Sequence, residues 1–135
     1  MPRPLDRREL LNDPTLTGRS FVAAYTTLVD EWIAEVYDEA VGDRRGLALV
    51  ATGGHGRAEL APQSDLDLLL LHDGSFDADA AQQLWYPIWD AGFKLGHSVR
   101  TSAETLALAR DDLATATSLL SPRLLAGDPA VFATL

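Results

Sequence analysis

Residues 50–71 read VATGGHGRAELAPQSDLDLLLL and predict an apolar strand, a glycine-rich turn, and a second apolar strand that opens with Asp-Leu-Asp. In an extended chain residues i and i+2 point to the same face, so Asp65 and Asp67 present two carboxylates side by side while Leu66 and Leu68 face the core. Two adjacent carboxylates repel each other unless a cation lies between them or one is protonated. A hard divalent cation such as Mg²⁺ binds such a pair together with substrate phosphates.

Gly53 and Gly54 begin the turn twelve residues before Asp65. Without a Cβ atom, their backbone N–H groups allow close approach of a ligand, as a phosphate-binding turn requires. The turn is not a Walker A loop, since no Gly-Lys-Ser/Thr follows, and it lacks the third glycine of the dinucleotide-binding fingerprint. An Asp-x-Asp pair alone is weak support for a site, because paired acids also begin ordinary surface strands. Its spacing from the glycines makes nucleotide chemistry the stronger interpretation.

The flanking sequence predicts an α/β fold, a small mixed β-sheet packed against helices with the two motif strands adjacent. Strands are predicted at 47–52 and 66–71; neither shows polar alternation, so both should be covered on both faces. A long amphipathic helix precedes them, starting at Asp13-Pro14 or at Thr17 and ending near Gly42, and its aromatic stripe should pack in the core.

After the motif, Asp77 is predicted to cap a helix that Pro87 kinks or splits, and residues 93–100 form a third strand. Further helices are predicted to start at Thr101 or Ser102, at Asp111 or Asp112, and at Asp128-Pro129, with residues 123–127 as a connection. We divide the chain into a polar N-terminal segment, 1–17, and one domain, 18–135, and expect it to be a fragment of a longer multidomain protein.

Composition narrows the class of protein. The 135 residues suit one domain, and the net charge of −9 disfavours binding of bulk nucleic acid through its phosphates. The chain has no cysteine and no apolar run approaching the roughly 18 residues of a membrane span, so we expect a cytoplasmic protein.

Gly53-Gly54 with Asp65-Leu66-Asp67 resembles the signature of the DNA polymerase β-like nucleotidyltransferase superfamily. The longer string at 53–68 resembles one branch, the nucleotidyltransferase domain of the bacterial PII uridylyltransferase/uridylyl-removing enzymes. The strings at 89–90, 96–101 and 123–128 are similar to the same family, so the resemblance covers roughly residues 20–135. In that family a hydrolytic HD domain and two ACT domains follow.

The resemblance implies transfer of UMP from UTP to a tyrosine of a PII nitrogen-signalling protein, with release of pyrophosphate. Some members transfer AMP, so UTP and ATP both stay open. Mg²⁺ is the implied cofactor, with Mn²⁺ as a possible replacement, and Asp65 and Asp67 are the implied catalytic metal ligands. Gly53, Gly54 and Ser64 are expected to bind the triphosphate.

Two arginines have alternative roles. Arg57 is expected either to neutralise phosphate charge or to pair with Glu59. Arg100 suits contact with phosphate or base, or else a surface ion pair.

The superfamily usually supplies a third carboxylate from the next strand, and residues 93–100 contain none. Either Glu59, Glu104 or Asp112 supplies it, or His97 acts as base, or two acids suffice; for His97 a structural role is the better interpretation. Two rival functions remain. The first is an enzyme similar to glutamine-synthetase adenylyltransferase or to another regulatory nucleotidyltransferase. The second is a degenerate module that binds nucleotide or a partner without turnover.

Overall fold

The computed structural model describes residues 5–42, 46–60, 64–74, 76 and 78–135, which form both helices and strands. In chain order the elements are α1 (Arg8–Leu11), α2 (Gly18–Val41), β1 (Leu47–Ala51), α3 (Gly53–Gly56), β2 (Leu66–His72), a 3-10 helix (Ala78–Ala81), α4 (Gln82–Asp90), β3 (Leu95–Thr101), α5 (Ser102–Asp111), α6 (Leu113–Ser118), β4 (Arg123–Gly127) and α7 (Pro129–Phe132). None of the helices in these described ranges combines the length and apolar character that a membrane span requires.

The four strands form one mixed sheet in the order β3-β2-β1-β4. β1 pairs antiparallel with β2 and with β4, whereas β2 and β3 are parallel. A parallel pair needs a crossover connection, and the 3-10 helix and α4 supply it here. The predicted mixed α/β class and the adjacency of the two motif strands are therefore confirmed.

Both motif strands are covered on both faces, as their lack of polar alternation predicts. Leu49, Leu68 and Leu70 belong to the larger core cluster, which α2 and α4 cover. Val50 and Leu69 face the other way, into a smaller cluster beneath α7 and the segment around β4. Asp67 is two residues before Leu69 in β2, and side chains two apart in a strand point to the same face. Asp67 therefore lies on the side of the sheet that faces this smaller cluster.

Helix α2 forms from the second of the two predicted starts. Thr17 is its N-cap in a capping box with Ser20, and Gly42 ends it at a positive φ of 61°. Its aromatic stripe packs in the core as predicted, with Tyr25, Trp32 and Tyr37 all buried.

Asp13 does not cap a helix, so the first predicted start is wrong. Its side chain accepts hydrogen bonds from the Thr15 N–H, at 2.9 Å, and the Thr15 hydroxyl, at 2.7 Å, which closes a local turn. The N-terminal segment instead contains the short helix α1.

The largest correction concerns 123–127, which was predicted as a connection. These residues form β4 and pair with β1 from Ala48 to Ala51. Elsewhere Thr101, Asp112 and Asp128 cap α5, α6 and α7 as predicted. Pro87 lies inside α4 without splitting it, and the proposed Asp77 cap falls outside the described residues.

The two-sided burial of β2 leads to a stability prediction. Leu70 is fully buried, whereas Leu113 is 83% exposed. We expect Leu70→Ala to lower the free energy of unfolding by about 2–5 kcal/mol, because it leaves a cavity in the core. Leu113→Ala, the matched control, should stay within about 0.5 kcal/mol of the parent chain. Urea unfolding measures both, and equal midpoints for the two variants would contradict this core assignment.

Candidate functional site

The candidate site lies where β1 ends and β2 begins. β1 ends at Ala51, and α3 follows with Gly53 and Gly54 as its first two residues. The backbone N–H of Thr52 donates to the carbonyl of Asp67 at 3.0 Å, which fixes this turn beside the start of β2. The glycine turn and the Asp-Leu-Asp motif are thus brought together as predicted.

The carboxylate of Asp67 lies between two glycines from different elements. A Cβ atom at Gly53 would lie 2.8 Å from Asp67 Oδ2, and a Cβ atom at Gly96 would lie 2.9 Å from Asp67 Oδ1. Gly96 is opposite Asp67 in the parallel register between β2 and β3. Any side chain at either position would crowd the carboxylate, so both glycines keep space open around it.

Gly53 meets a second requirement, because its φ of 57° is one that residues with a side chain rarely adopt. The first N–H groups of a helical turn have no partner within the turn. Within the described part of the chain no side chain caps α3, and the Thr52 side chain makes no capping hydrogen bond. The N–H groups of the two glycines are therefore suited to bind an anionic ligand.

Asp65 and Asp67 interact electrostatically. Asp65 is exposed just before β2, and Asp67 is half-buried within the strand. Burial raises the pKa of Asp67 above the ordinary value, and the charge of Asp65 raises it further; the charges of His55 and Arg57 oppose this rise. A divalent cation between the two carboxylates would relieve their repulsion, so the donor set and the open space fit Mg²⁺.

Two further predicted site residues, Ser64 and Arg57, lie in the segments that flank the acid pair and the glycine turn. Ser64 is half-buried immediately before Asp65. Arg57 follows α3 and pairs with Glu59, with its Nε 3.3 Å from Glu59 Oε2, although both side chains stay exposed. Arg57 thus makes the ion pair that was one of its two alternatives, while its charge still acts on Asp67.

Arg100 lies further from the acids. It is opposite Leu71, four residues along β3 from Gly96, or about 13 Å at the usual rise of a strand. Its charge acts on Glu104, whose pKa is lowered first by hydrogen bonds with Thr101 and then by the charges of His72 and Arg100. The structure therefore brings Arg100 closer to the start of α5 than to the glycine turn.

The candidates for a third acid have structural partners. Glu59 pairs with Arg57, Glu104 completes the capping box of α5, and Asp112 caps α6. In the described ranges no group of three or more His, Asp or Glu side chains is placed to hold a metal ion.

His97 has a structural environment. It follows Gly96 along β3, so it lies on the opposite face of the sheet from Asp67. Its ring packs against Trp85, at 5.1 Å between ring centroids, and against Trp89, at 5.3 Å. This supports the structural interpretation of His97 over the general-base one.

Sequence reasoning missed a polar network behind the turn. His55 is fully buried, with Nε2 2.8 Å from Asp30 Oδ1, and Asp30 also pairs with Arg123. One signal was available: Thr26 and Asp30 are two polar residues four apart on the buried side of α2, a spacing that places them on one face.

Comparison with known proteins gives this geometry a context. The chain is similar to proteins named bifunctional uridylyltransferase/uridylyl-removing enzyme. It is 46% identical to the one from Streptomyces coelicolor over 132 residues, which make up 96% of this chain and 16% of that protein. The Mycobacterium tuberculosis protein is 46% identical over 129 residues, 90% of this chain and 16% of that protein. The Erythrobacter litoralis protein is 35% identical over 133 residues, 90% of this chain and 14% of that protein.

The chain therefore spans about one sixth of the length of the curated relatives it matches. No family model matches it. The name that these relatives carry, uridylyltransferase/uridylyl-removing enzyme, describes those longer proteins.

The raised pKa of Asp67 leads to a pH-dependent prediction. A carboxyl whose pKa is higher in the folded than in the unfolded chain favours folding while it is protonated. That contribution is present below the unfolded value, near 3.8, and is lost as pH rises through the raised folded pKa. Asp67→Asn should therefore raise the melting temperature at pH 7 without divalent metal, and the gain should disappear at pH 3.

Thermal unfolding followed by circular dichroism from pH 3 to pH 8 tests this, with Glu31→Gln as the control because Glu31 is an exposed acid on α2. A melting temperature of Asp67→Asn below that of the parent chain at pH 7 would show that Asp67 stabilises the fold and would contradict the prediction.

Proposed function

We propose that this chain is the nucleotidyltransferase part of a PII uridylyltransferase, with a polymerase β-like fold. It transfers UMP from UTP, or AMP from ATP, to a tyrosine of a PII signalling protein and releases pyrophosphate. The observation that carries the proposal is the pair of acids, Asp65 and Asp67, beside a glycine turn, with Gly53 and Gly96 leaving space at the Asp67 carboxylate. The names of the relatives support the uridylyl reaction.

Asp65 and Asp67 would hold Mg²⁺, or Mn²⁺ in its place, through their carboxylate oxygens. When bound, the cation supplies neutralisation of the triphosphate charge and stabilisation of the attacking and leaving oxygens. The protein's own contribution is geometric. Asp67 stands within β2 and Asp65 immediately before it, and Gly53 and Gly96 leave room for ligand atoms beside the Asp67 carboxylate.

The glycine turn would bind the triphosphate. The N–H groups of Gly53 and Gly54 have no capping side chain in the described structure, so phosphate oxygens can accept from them. Ser64, just before Asp65, would add a hydroxyl donor. Arg57 would contribute positive charge while Glu59 restrains its side chain.

The reaction forms one bond and breaks another at the α-phosphorus. The tyrosine oxygen attacks that atom, the bond to the bridging oxygen of the β-phosphate breaks, and pyrophosphate leaves with the bonding electrons. The hydroxyl proton passes to solvent, because each acid weighed for a third role already pairs with or caps another group. Two acids suffice in this scheme.

The test is the intact mass of a PII protein after incubation with this chain, Mg²⁺, and either UTP or ATP. We expect an adduct of one nucleoside monophosphate with one of the two nucleotides, which also identifies the preferred base. Asp65→Asn/Asp67→Asn should slow transfer at least ~100-fold, because charge stabilisation by a bound cation contributes several kcal/mol.

Glu31→Gln is the matched control, since it removes an exposed negative charge from α2. A double variant that transfers at the parental rate would overturn the assignment of the two acids. An adduct absent from this chain and from a full-length relative with the same residues would favour a module that binds nucleotide without turnover.

A further inference from the structure

Three charged or titratable side chains, far apart in sequence, meet behind the glycine turn. Asp30 comes from the middle of α2, His55 from α3, and Arg123 from the start of β4. His55 Nε2 lies 2.8 Å from Asp30 Oδ1, and because a carboxylate only accepts, Nε2 carries the hydrogen. Arg123 Nη1 donates to the other oxygen of the same carboxylate. One carboxylate therefore joins a helix, the turn and a strand.

Arg123 also holds the backbone at the end of α3. Its Nη2 donates to the carbonyl oxygen of His55 at 2.8 Å, and its Nε donates to that of Gly56 at 3.4 Å. The His55 carbonyl also accepts from the Ala58 N–H at 3.1 Å, so the guanidinium adds a second hydrogen bond at the C-terminal end of α3. The planar fork of arginine allows these contacts together with the Asp30 pair.

The network is largely removed from solvent. The His55 side chain is 0% exposed, Asp30 is 19% exposed and Arg123 is 32% exposed. Burying charged groups has a substantial desolvation cost, and a well-packed apolar cluster of similar volume often stabilises a protein at least as well. Stability alone is therefore a weak reason for placing this network directly behind the turn.

The same helix holds the turn at a second point. The Thr26 hydroxyl, one helical turn before Asp30, accepts from the N–H of Leu60 at 3.2 Å and lies 3.2 Å from the carbonyl of Ala58. The backbone of Gly56 also lies close to that of Ser121, since a Cβ atom at Gly56 would clash with the Ser121 carbonyl oxygen. Hydrogen bonds and packing thus restrain residues 55–60. Gly53 and Gly54 have no side chain through which they could be restrained in the same way.

We propose that Asp30 is the positioning residue for the nucleotide-binding turn. By holding His55 and Arg123 together, it fixes α3 so that Gly53 and Gly54 stay in place next to the start of β2, where the Thr52 N–H bonds the Asp67 carbonyl. This inference rests on the proposed function and adds to it a residue that touches neither metal nor nucleotide. Its effect reaches the phosphates through the backbone of α3.

A positioning role and a purely structural role differ in the kinetic constant that changes. A variant that only lowers stability reduces the fraction of folded protein, which lowers the apparent kcat and leaves the KM for nucleotide unchanged. A variant that displaces the turn in a folded chain raises the KM for nucleotide and weakens its equilibrium binding. We expect the second result for Asp30→Asn, because asparagine keeps the shape of the side chain and removes its charge.

The experiment compares four chains: the parent, Asp30→Asn, Arg123→Lys and the control Glu31→Gln. Titration calorimetry with Mg²⁺ and α,β-methylene-UTP or α,β-methylene-ATP gives nucleotide affinity, and transfer to a PII protein gives kcat and KM. For Asp30→Asn we expect affinity to fall about 10- to 100-fold, the range that a small displacement of binding groups produces. For Arg123→Lys we expect a smaller loss, since an ammonium keeps the charge and loses the fork. Glu31→Gln should bind as the parent does.

The outcomes separate this inference from the proposed function. If the parent chain binds neither analogue and transfers neither nucleotide, the proposed function fails and the positioning role fails with it. If the parent binds and a folded Asp30→Asn binds equally well, the positioning role alone is overturned. Should both variants fail to fold, nitrogen chemical shifts of the His55 ring in the parent chain decide. They should move on nucleotide binding together with the Gly53 and Gly54 amides, and an unmoved ring would overturn the inference.

Discussion

The central constraint on this structure is a half-buried carboxylate at the edge of an apolar core. Asp67 lies in a strand whose leucines are buried on both faces, and burial and the Asp65 charge both raise its pKa. An isolated carboxylate in such a place would favour protonation. What offsets this is the packing of β1 and β2, which are covered on both faces by two separate apolar clusters. The central strands therefore supply the stability that the acid at their end reduces.

The order of the strands leaves space beside that acid. β1 delivers the glycine turn directly next to β2 because the two strands are antiparallel neighbours. β3 runs parallel to β2, and this register puts Gly96 opposite Asp67 on the remaining side. A larger residue at either flank would contact the carboxylate oxygens at less than 3 Å. The mixed sheet thus places one glycine on each side of the Asp67 carboxylate, Gly53 from the turn and Gly96 from β3.

The sequence predicted what local patterns determine and missed what long-range contacts determine. Helix α2 follows from apolar periodicity, the motif strands from long apolar runs, and the caps at Thr101, Asp112 and Asp128 from local hydrogen bonding. β4 was missed because Arg-Leu-Leu-Ala-Gly has an apolar run of only three residues, and its strand pairing with β1 is a long-range contact. Asp30 was missed for a similar reason, since its partners lie 25 and 93 residues away.

Charge is balanced around the turn in two layers. His55 and Arg57 lower the pKa of Asp67 against the effects of burial and of Asp65. Each of these two side chains is held by a different acid, because His55 pairs with Asp30 behind the turn and Arg57 pairs with Glu59. Electrostatic support of this kind is strongest when its groups cannot reorient, because fixed dipoles and charges need no rearrangement when a ligand arrives. In the positioning role proposed for Asp30, a residue of α2 that does not touch the ligand therefore keeps α3 in place for the groups that do.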